Sequence, residues 1–357
     1  MNPRRIALIV SPWYPVPPAG YGGIELMAYN LACELQLRGH QVSVIGQQGS
    51  QGPFESIAIA PESWSGQLGG RDHLPREFLF LYRAYDIVRR RAFDVVHDNS
   101  GLAGILVAAI SRLQAPVVAT LHGALSEAEG EYLSAIDHLV HLVAISQAQR
   151  ALAAGVGWRR VVYNAVDPKE YAPITRWEEK GDYVVQLARI SAEKGQHVAI
   201  EMAQRLDINL VLAGKVGEDS GAYFEKRIKP HLGGRITWVE NVVGEDKARL
   251  LAHARAMVFP IQWEEPFGIA MVEAMVSGTP VIAMARGAAV ELVEPGVTGF
   301  LAADLDGMID AYSRLGEIDL ARCAERASER FGPGQMADGY QSVYERAIEE
   351  SHHRDPS

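Results

Sequence analysis

The sequence predicts an α/β protein with two parallel-sheet domains, and three observations predict it. Its 357 residues are about twice the usual length of one domain. Short runs rich in Val, Ile and Leu, bounded by Gly, Pro or Asp, alternate with segments of helical periodicity, which is how buried parallel strands and crossover helices read. The alternation stops near residue 167 and restarts near residue 183, so two Rossmann-like domains facing across a cleft are the expected architecture.

The first series of strand-like runs is Arg4 to Val10, Gln41 to Gly46, Asp94 to His97, Pro116 to Leu121, His141 to Ile145 and Arg160 to Tyr163. The clearest helix between them is Ile24 to Arg38, where Ile24, Met27, Leu31 and Leu35 form one apolar stripe ahead of Gly39. The second series is Tyr183 to Leu187, Asn209 to Ala213, Ile236 to Val239, Ala256 to Pro260 and Pro280 to Ala283. Asp167 to Lys180 carries two prolines, mixed charges and no periodicity, and reads as a linker. The domains are therefore placed at residues 1–167 and 168–333. After the Gly332-Pro333-Gly334 break, residues 334–357 are expected to form a last helix, roughly Gln335 to Glu349, and a frayed tail from Ser351 to Ser357.

The chain is 48% apolar and 22% charged, an ordinary globular balance. Only Cys33 and Cys323 are present, so no disulfide framework and no metal-type cysteine spacing can be read, and a reducing cytoplasm fits best. The apolar run from Ile6 to Val10 is too short for a signal peptide or a membrane span, which predicts a soluble, cytoplasmic protein. A formal charge of −10 argues against general nucleic-acid binding. Arg71 to Arg91 holds six arginines among apolar residues. Peripheral membrane contact through a basic amphipathic face is one reading, and an ordinary crossover helix with a charged outer face is the favoured one.

In open parallel sheets, ligands bind beyond the carboxyl ends of the strands, so polar residues just after strands carry the candidate chemistry. The most informative segment runs from Pro260 to Ala283. A strand ends at Pro260, a loop carries Glu264 and Glu265, and a helix is expected from about Phe267 to Ser277. Eight residues separate Glu265 from Glu273, about two helical turns, which puts both carboxylates near one face. Free N–H groups at Phe267 and Gly268 would suit a phosphate, and the carboxylates would suit sugar or ribose hydroxyls. A solvated face is hard to draw around Glu273, whose neighbours are Met271, Val272, Ala274 and Met275.

This segment resembles the Glu-x7-Glu signature of the retaining glycosyltransferases of family four, which have the GT-B architecture: Glu265 to Glu273, then Gly278-Thr279-Pro280-Val281. The resemblance implies that Glu265 meets the donor sugar hydroxyls and Glu273 the nucleotide ribose, with Glu264 a weaker substitute for Glu265. Gln186 to Gly195 resembles the family's Gly-Arg-x4-Lys-Gly loop, with Ala188 where Gly is commoner. It implies that Arg189 and Lys194 oppose the charge of the departing diphosphate, a device that works without a metal. Pro17 to Glu25 resembles the Gly-Gly loop that approaches the donor phosphates, through Gly22 and Gly23.

Thr120-Leu-His-Gly123 closes a first-domain strand and looks like the family position where a histidine sits beside the reacting sugar, which assigns His122 to that role. His97 ends another strand and reads as structural. Ala144 to Arg150 and Tyr163 to Asp167 also match family segments, with Asn164 and Asp167 read as shaping the interdomain turn. The resemblance further implies that residues 1–167 form the acceptor side and 168–333 the nucleotide-sugar donor side, and that the last helix crosses back onto the first domain. Gly287 and Ala288 are weaker candidates for backbone donors to the sugar or phosphate.

The combined expectation is a retaining, metal-independent glycosyltransferase. It would move a sugar from a nucleotide diphosphate donor to a carbohydrate or other hydroxyl acceptor, with no cofactor and no metal. The catalytic candidates are His122, Arg189, Lys194 and Glu265, and the donor-binding set adds Gly22, Gly23, Phe267, Gly268 and Glu273. The rival expectations are a non-catalytic nucleotide-sugar-binding protein and a sugar-nucleotide epimerase. No Gly-x-Gly-x-x-Gly fingerprint supports a nicotinamide enzyme. The base, the sugar and the acceptor depend on loops such as Ser50 to Arg76, where periodicity is uninformative.

Overall fold

The computed structural model of the chain describes residues 3–20 and 22–353, apart from the side chain of Glu218. Tyr21 of the glycine-rich loop and the last four positions of the expected tail lie outside the described residues. Chain contacts divide the protein into two units, residues 1–165 with 333–357, and residues 166–332.

Unit 1 contains β1 (Arg5–Ile9), α1 (Gly23–Leu37), β2 (Gln41–Gln47), β3 (Glu55–Ala60), α2 (His73–Arg90), β4 (Val95–Asp98), α3 (Leu102–Ser111) and β5 (Val117–Thr120). It continues through α4 (Glu127–Ile136), β6 (His141–Ala144), α5 (Gln147–Leu152) and β7 (Arg160–Val161). Its seven strands are parallel, in the order β3-β2-β1-β4-β5-β6-β7. Unit 2 contains β8 (Val184–Leu187), α6 (Gln196–Leu206), β9 (Leu210–Ala213), a single turn α7 (Gly221–Tyr223), β10 (Ile236–Val239), α8 (Gly244–His253) and β11 (Ala256–Phe259). It ends with α9 (Ile269–Val276), β12 (Val281–Met284), α10 (Ala289–Leu292), β13 (Gly299–Ala302), α11 (Leu305–Ser313) and α12 (Leu320–Phe331). Its six parallel strands run β10-β9-β8-β11-β12-β13.

Both sheets are thus doubly wound, with the order reversing between β1 and β4 in one and between β8 and β11 in the other. At such a reversal, successive crossovers leave to opposite faces, and a crevice opens beyond the strand ends. The strands read in the sequence are present within a residue or two. Two strands were not read. β3 is an edge strand whose Glu55, Ser56 and Ala58 are exposed, and its apolar run is only Ile57-Ala58-Ile59-Ala60, half of it alanine. β13 is only Gly-Phe-Leu-Ala, too short to stand out as an apolar run.

The last helix, α13 (Pro333–His353), starts two residues earlier and ends four later than the periodicity suggests. It belongs to unit 1, where Met336, Ala337, Tyr340, Val343, Tyr344, Ala347 and Ile348 join the core made by α1 and the sheet. His97 at the end of β4 fastens it. Its Nδ1 lies 2.7 Å from the Tyr344 hydroxyl and its Nε2 2.8 Å from Oγ1 of Thr120. Burial holds its pKa down at about 3, so the ring is neutral, as its structural reading requires.

Two expectations are corrected. Residues 167–180 are not a loose linker: they pack on unit 2, with Tyr171 buried and Lys180 donating to the Ala252 carbonyl at 2.6 Å and to Thr279 Oγ1 at 2.8 Å. Proline content and broken periodicity mark irregular backbone, which need not be mobile backbone. The outer face of α2 is not simply charged either. Leu74, Phe78, Leu79 and Tyr82 are exposed beside Arg83 and Arg89, while Phe80, Leu81, Ala84, Tyr85 and Val88 face the core. Among the described residues, no helix is long and apolar enough to cross a membrane.

Candidate active site

In unit 2, three loops at the carboxyl edge interlock. The loop after β8 carries Arg189 and Lys194, the loop after β11 carries Glu264 and Glu265, and the loop after β12 carries Gly287 and Ala288. The Gln262 N–H donates to the Glu193 carbonyl at 2.7 Å, and the Ala288 N–H to the Glu265 carbonyl at 2.8 Å. Gly195 makes the first contact possible. Its φ is +72°, and a Cβ there would lie 1.9 Å from the Pro260 carbonyl oxygen.

This framework brings Lys194 and Glu265 together. Nζ of Lys194 donates to Oε2 of Glu265 at 2.5 Å, and the same oxygen accepts from Trp263 Nε1 at 2.9 Å. The ammonium also sits 4.6 Å from the Trp263 ring centroid. Gln186, at the end of β8, donates to the Lys194 carbonyl at 2.7 Å and steadies the loop. Glu265 is 7% exposed, so the pair is largely removed from water. Arg189 stands on the same loop but turns away, donating to Glu193 at 3.1 Å with its side chain 52% exposed.

Glu273 is 4% exposed on α9, and its Oε1 accepts from Tyr171 at 2.9 Å and from Lys247 at 2.6 Å. Tyr171 is pushed far above the usual phenol range, first by burial and then by the Glu273 charge, so it stays a donor. Lys247 and Tyr171 were not read from the sequence, since nothing local marks them as partners of a glutamate 26 and 102 residues away.

The loop and helix positions of the two glutamates are as read, and only the helix start shifts, by two residues. α9 begins at Ile269, after Gly268 at φ +80°, and Pro266 disfavours helical backbone at Glu265. Glu265 therefore belongs to the loop and Glu273 to the helix. Phe267 and Gly268 lie before the first turn, with the Phe267 ring buried edge-on to Phe331. The Gly287 N–H donates to Glu264 Oε2 at 2.7 Å and the Ala288 N–H is engaged as above. Both weaker backbone candidates thus already have partners, and Glu264 supports that loop.

In unit 1, the loops after β1, β4 and β5 enclose a cavity of about 290 Å³ at the sheet's reversal point. Gly23 and His122 line it. Gly22, at φ +149°, closes the turn into α1, where a Cβ would come within 2.8 Å of Pro18 Cβ. Nε2 of His122 lies 3.1 Å from Asn99 Oδ1. The Asn99 amide nitrogen lies 3.5 Å from the Ile9 carbonyl, which orients its oxygen toward the ring. Nε2 therefore carries the proton and Nδ1 is the acceptor. Burial lowers the His122 pKa to about 4, keeping the ring neutral.

Gln149 positions this loop, donating to the carbonyls of Leu121 at 2.9 Å and Gly123 at 2.7 Å. Glu25, 3% exposed, also lines the cavity and accepts from the Ser11 hydroxyl. Burial raises its pKa, and the Ser11 bond opposes that. Neither Gln149 nor Glu25 was singled out in the sequence, although both fall inside matched segments.

Comparison with known proteins shows the family and the fold. Residues 21–170 match the model described as Glycosyltransferase Family 4, and residues 167–314 match Glycosyl transferases group 1. The chain belongs to the family-four glycosyltransferases. This family-four chain is 26% identical over 353 residues to the phosphatidyl-myo-inositol mannosyltransferase of Mycolicibacterium smegmatis, covering 91% of this chain and 89% of that protein. A crystal structure of a glycosyltransferase involved in avilamycin A biosynthesis superposes with a TM-score of 0.77 at 26% identity, covering 97% of this chain and 98% of that one. An Anabaena protein in complex with UDP and glucose shares the fold, with a TM-score of 0.73 at 20% identity over 96% of this chain and all of that one.

Proposed function

We propose that the enzyme is a retaining, metal-independent transferase that takes its sugar from a nucleotide diphosphate donor and passes it to the hydroxyl of a carbohydrate or other acceptor. The observation that carries this reading is the Lys194–Glu265 contact, a cation and a carboxylate held together beyond β8 and β11. Donor binding draws on both: Lys194 meets the diphosphate and Glu265 accepts from sugar hydroxyls, with Arg189 as a second cation. Glu273, backed by Lys247 and Tyr171, receives the ribose hydroxyls. The Anabaena relative, solved with UDP and glucose, supports a nucleotide-linked donor.

In the proposed step the acceptor oxygen bonds to the anomeric carbon on the face from which the diphosphate leaves. The carbon–oxygen bond to the diphosphate breaks, and the acceptor proton passes to a departing phosphate oxygen. Lys194 and Arg189 oppose the growing negative charge, and this supports turnover without a metal. The neutral His122 ring in unit 1 offers Nδ1 as an acceptor for a sugar hydroxyl.

The test is nucleoside diphosphate release from a panel of UDP-, GDP-, ADP- and TDP-sugars, with and without chelator, followed by NMR assignment of the product anomer. Retained configuration and undiminished turnover in chelator are expected. Inverted product, chelator-sensitive turnover, or donor binding with no release in any mixture would refute the respective parts.

A further inference from the structure

The unit 1 cavity has a charge character that the transfer reaction alone does not require. We propose that its acceptor subsite takes a hydroxyl compound that is neutral or amine-bearing, with an apolar flank, and turns away sugar phosphates and other phosphorylated acceptors. This rests on the transferase reading above and adds the chemical class of the acceptor.

Three carboxylates line the cavity, Glu25, Glu77 and Glu129, and no lysine or arginine does among the described residues. Each carboxylate is partly engaged. Glu25 Oε1 accepts from Ser11, Glu129 Oε2 accepts from the backbone and hydroxyl of Ser126, and Glu77 Oε2 lies 3.5 Å from His73 Nε2. Glu25 also accepts from its own backbone N–H, while Glu77 and Glu129 each keep an oxygen to accept from a ligand hydroxyl or ammonium, which are donors, whereas a phosphate offers acceptors and charge of the same sign. The nearby arginine does not change this. Arg76 stacks over Trp64 and pairs with Asp72 through Nη2, its Nη1 is buried without a hydrogen-bond partner among the described residues, and it is not part of the lining.

His122 adds no positive charge, because its ring is neutral. The anion-favouring features at the cavity are the starts of α1 at Gly23 and of α3 at Leu102, which are backbone dipoles and not charged side chains. A second phosphate, on the acceptor, would find no side-chain cation. The remaining wall is apolar, built by Trp13, Leu68, Leu102, Leu121 and Leu125, and suits the carbon-rich face of a sugar or an attached apolar group.

The full chain with its best donor would be given glucose, glucosamine and glucose 6-phosphate as matched acceptors, then the mannose series, reading nucleoside diphosphate release. The neutral or amino form should exceed the phosphate by at least about tenfold in kcat/KM, and Glu77→Lys should narrow that ratio. Leu68→Lys, at an exposed rim position, adds the same charge without touching a buried group and should act likewise. Saturation-transfer NMR of the same sugars on the wild type gives a readout independent of turnover, with glucosamine bound and glucose 6-phosphate not. Preference for the phosphate in either assay, or a ratio unmoved in both lysine variants, overturns the proposal. Donor binding without release from any acceptor, with glucosamine still bound selectively, overturns the transferase reading and leaves the charge preference standing.

Discussion

Nζ of Lys194 lies 2.5 Å from Oε2 of Glu265, across a gap of 71 residues in sequence. Without a donor, each group satisfies the other. A diphosphate that recruits Lys194 would take it from Glu265 and leave the carboxylate to accept from the sugar. Lys194→Ala should lower turnover by roughly 10²–10³-fold, the usual scale for losing one charge-stabilising donor. Glu265→Gln should lower turnover without weakening binding of the nucleoside diphosphate, because Lys194 then has one competitor fewer. Calorimetric titration with UDP, GDP and ADP beside the release assay checks the split.

Glu273 should be judged through its two supports. Lys247→Met leaves a buried carboxylate with only Tyr171, so Glu273 loses its charged partner and is less firmly aimed. Donor KM should rise by about tenfold, equivalent to about 1.4 kcal/mol. Tyr171→Phe, which removes one donor and little volume, should have a smaller effect in the same direction. Unchanged donor KM in both variants would remove Glu273 from the donor site.

Gln149 acts on the His122 loop through two carbonyls. Gln149→Leu keeps the side-chain bulk and deletes both donors, leaving the Leu121 and Gly123 carbonyls to relax. Turnover should fall with little change in donor affinity, as it should for His122→Ala. A double variant that is no worse than His122→Ala alone would show that the two residues act as one unit.

The stability curve should carry the signature of His97 and His122. Their folded pKa values, about 3 and about 4, lie below an unfolded value of about 6.5. Between those values the unfolded chain binds more protons, so their contribution is present in full above pH 6.5 and is lost as pH falls through 4 and then 3. Each histidine contributes a slope of up to about 1.4 kcal/mol per pH unit in that window. Buried Glu25 and Asp98, whose pKa values are raised, pull the other way, so the difference between wild type and His97→Gln isolates the effect. Urea midpoints at pH 7.5, 5.5 and 4.5 should converge for the two proteins as pH falls; a constant gap would count against a buried neutral His97.

Much of the candidate site was legible because it follows strand ends. Lys194, Glu265 and His122 each stand in a loop directly after a parallel strand, and their segments carried the family resemblance. Gln149 and Glu25 lay inside matched segments, but their roles depend on carbonyls and hydroxyls contributed by other strands. Lys247 and Tyr171 had no local signal. The loop position of Glu265 and the helical position of Glu273 were legible, whereas the exact start of the helix was set by Gly268 at positive φ.

By itself, the sequence determined two parallel-sheet domains, their strand order of appearance and the loops where chemistry would sit. These depend on local apolar runs and on breakers that act over a few residues. Only the tertiary structure decided which charges meet, that the carboxylates of unit 1 line a cavity without a basic side chain, and that His97 is the residue that fastens α13. Those outcomes depend on burial and on contacts between residues far apart in the chain, where the cost of an unpaired polar group selects the partner.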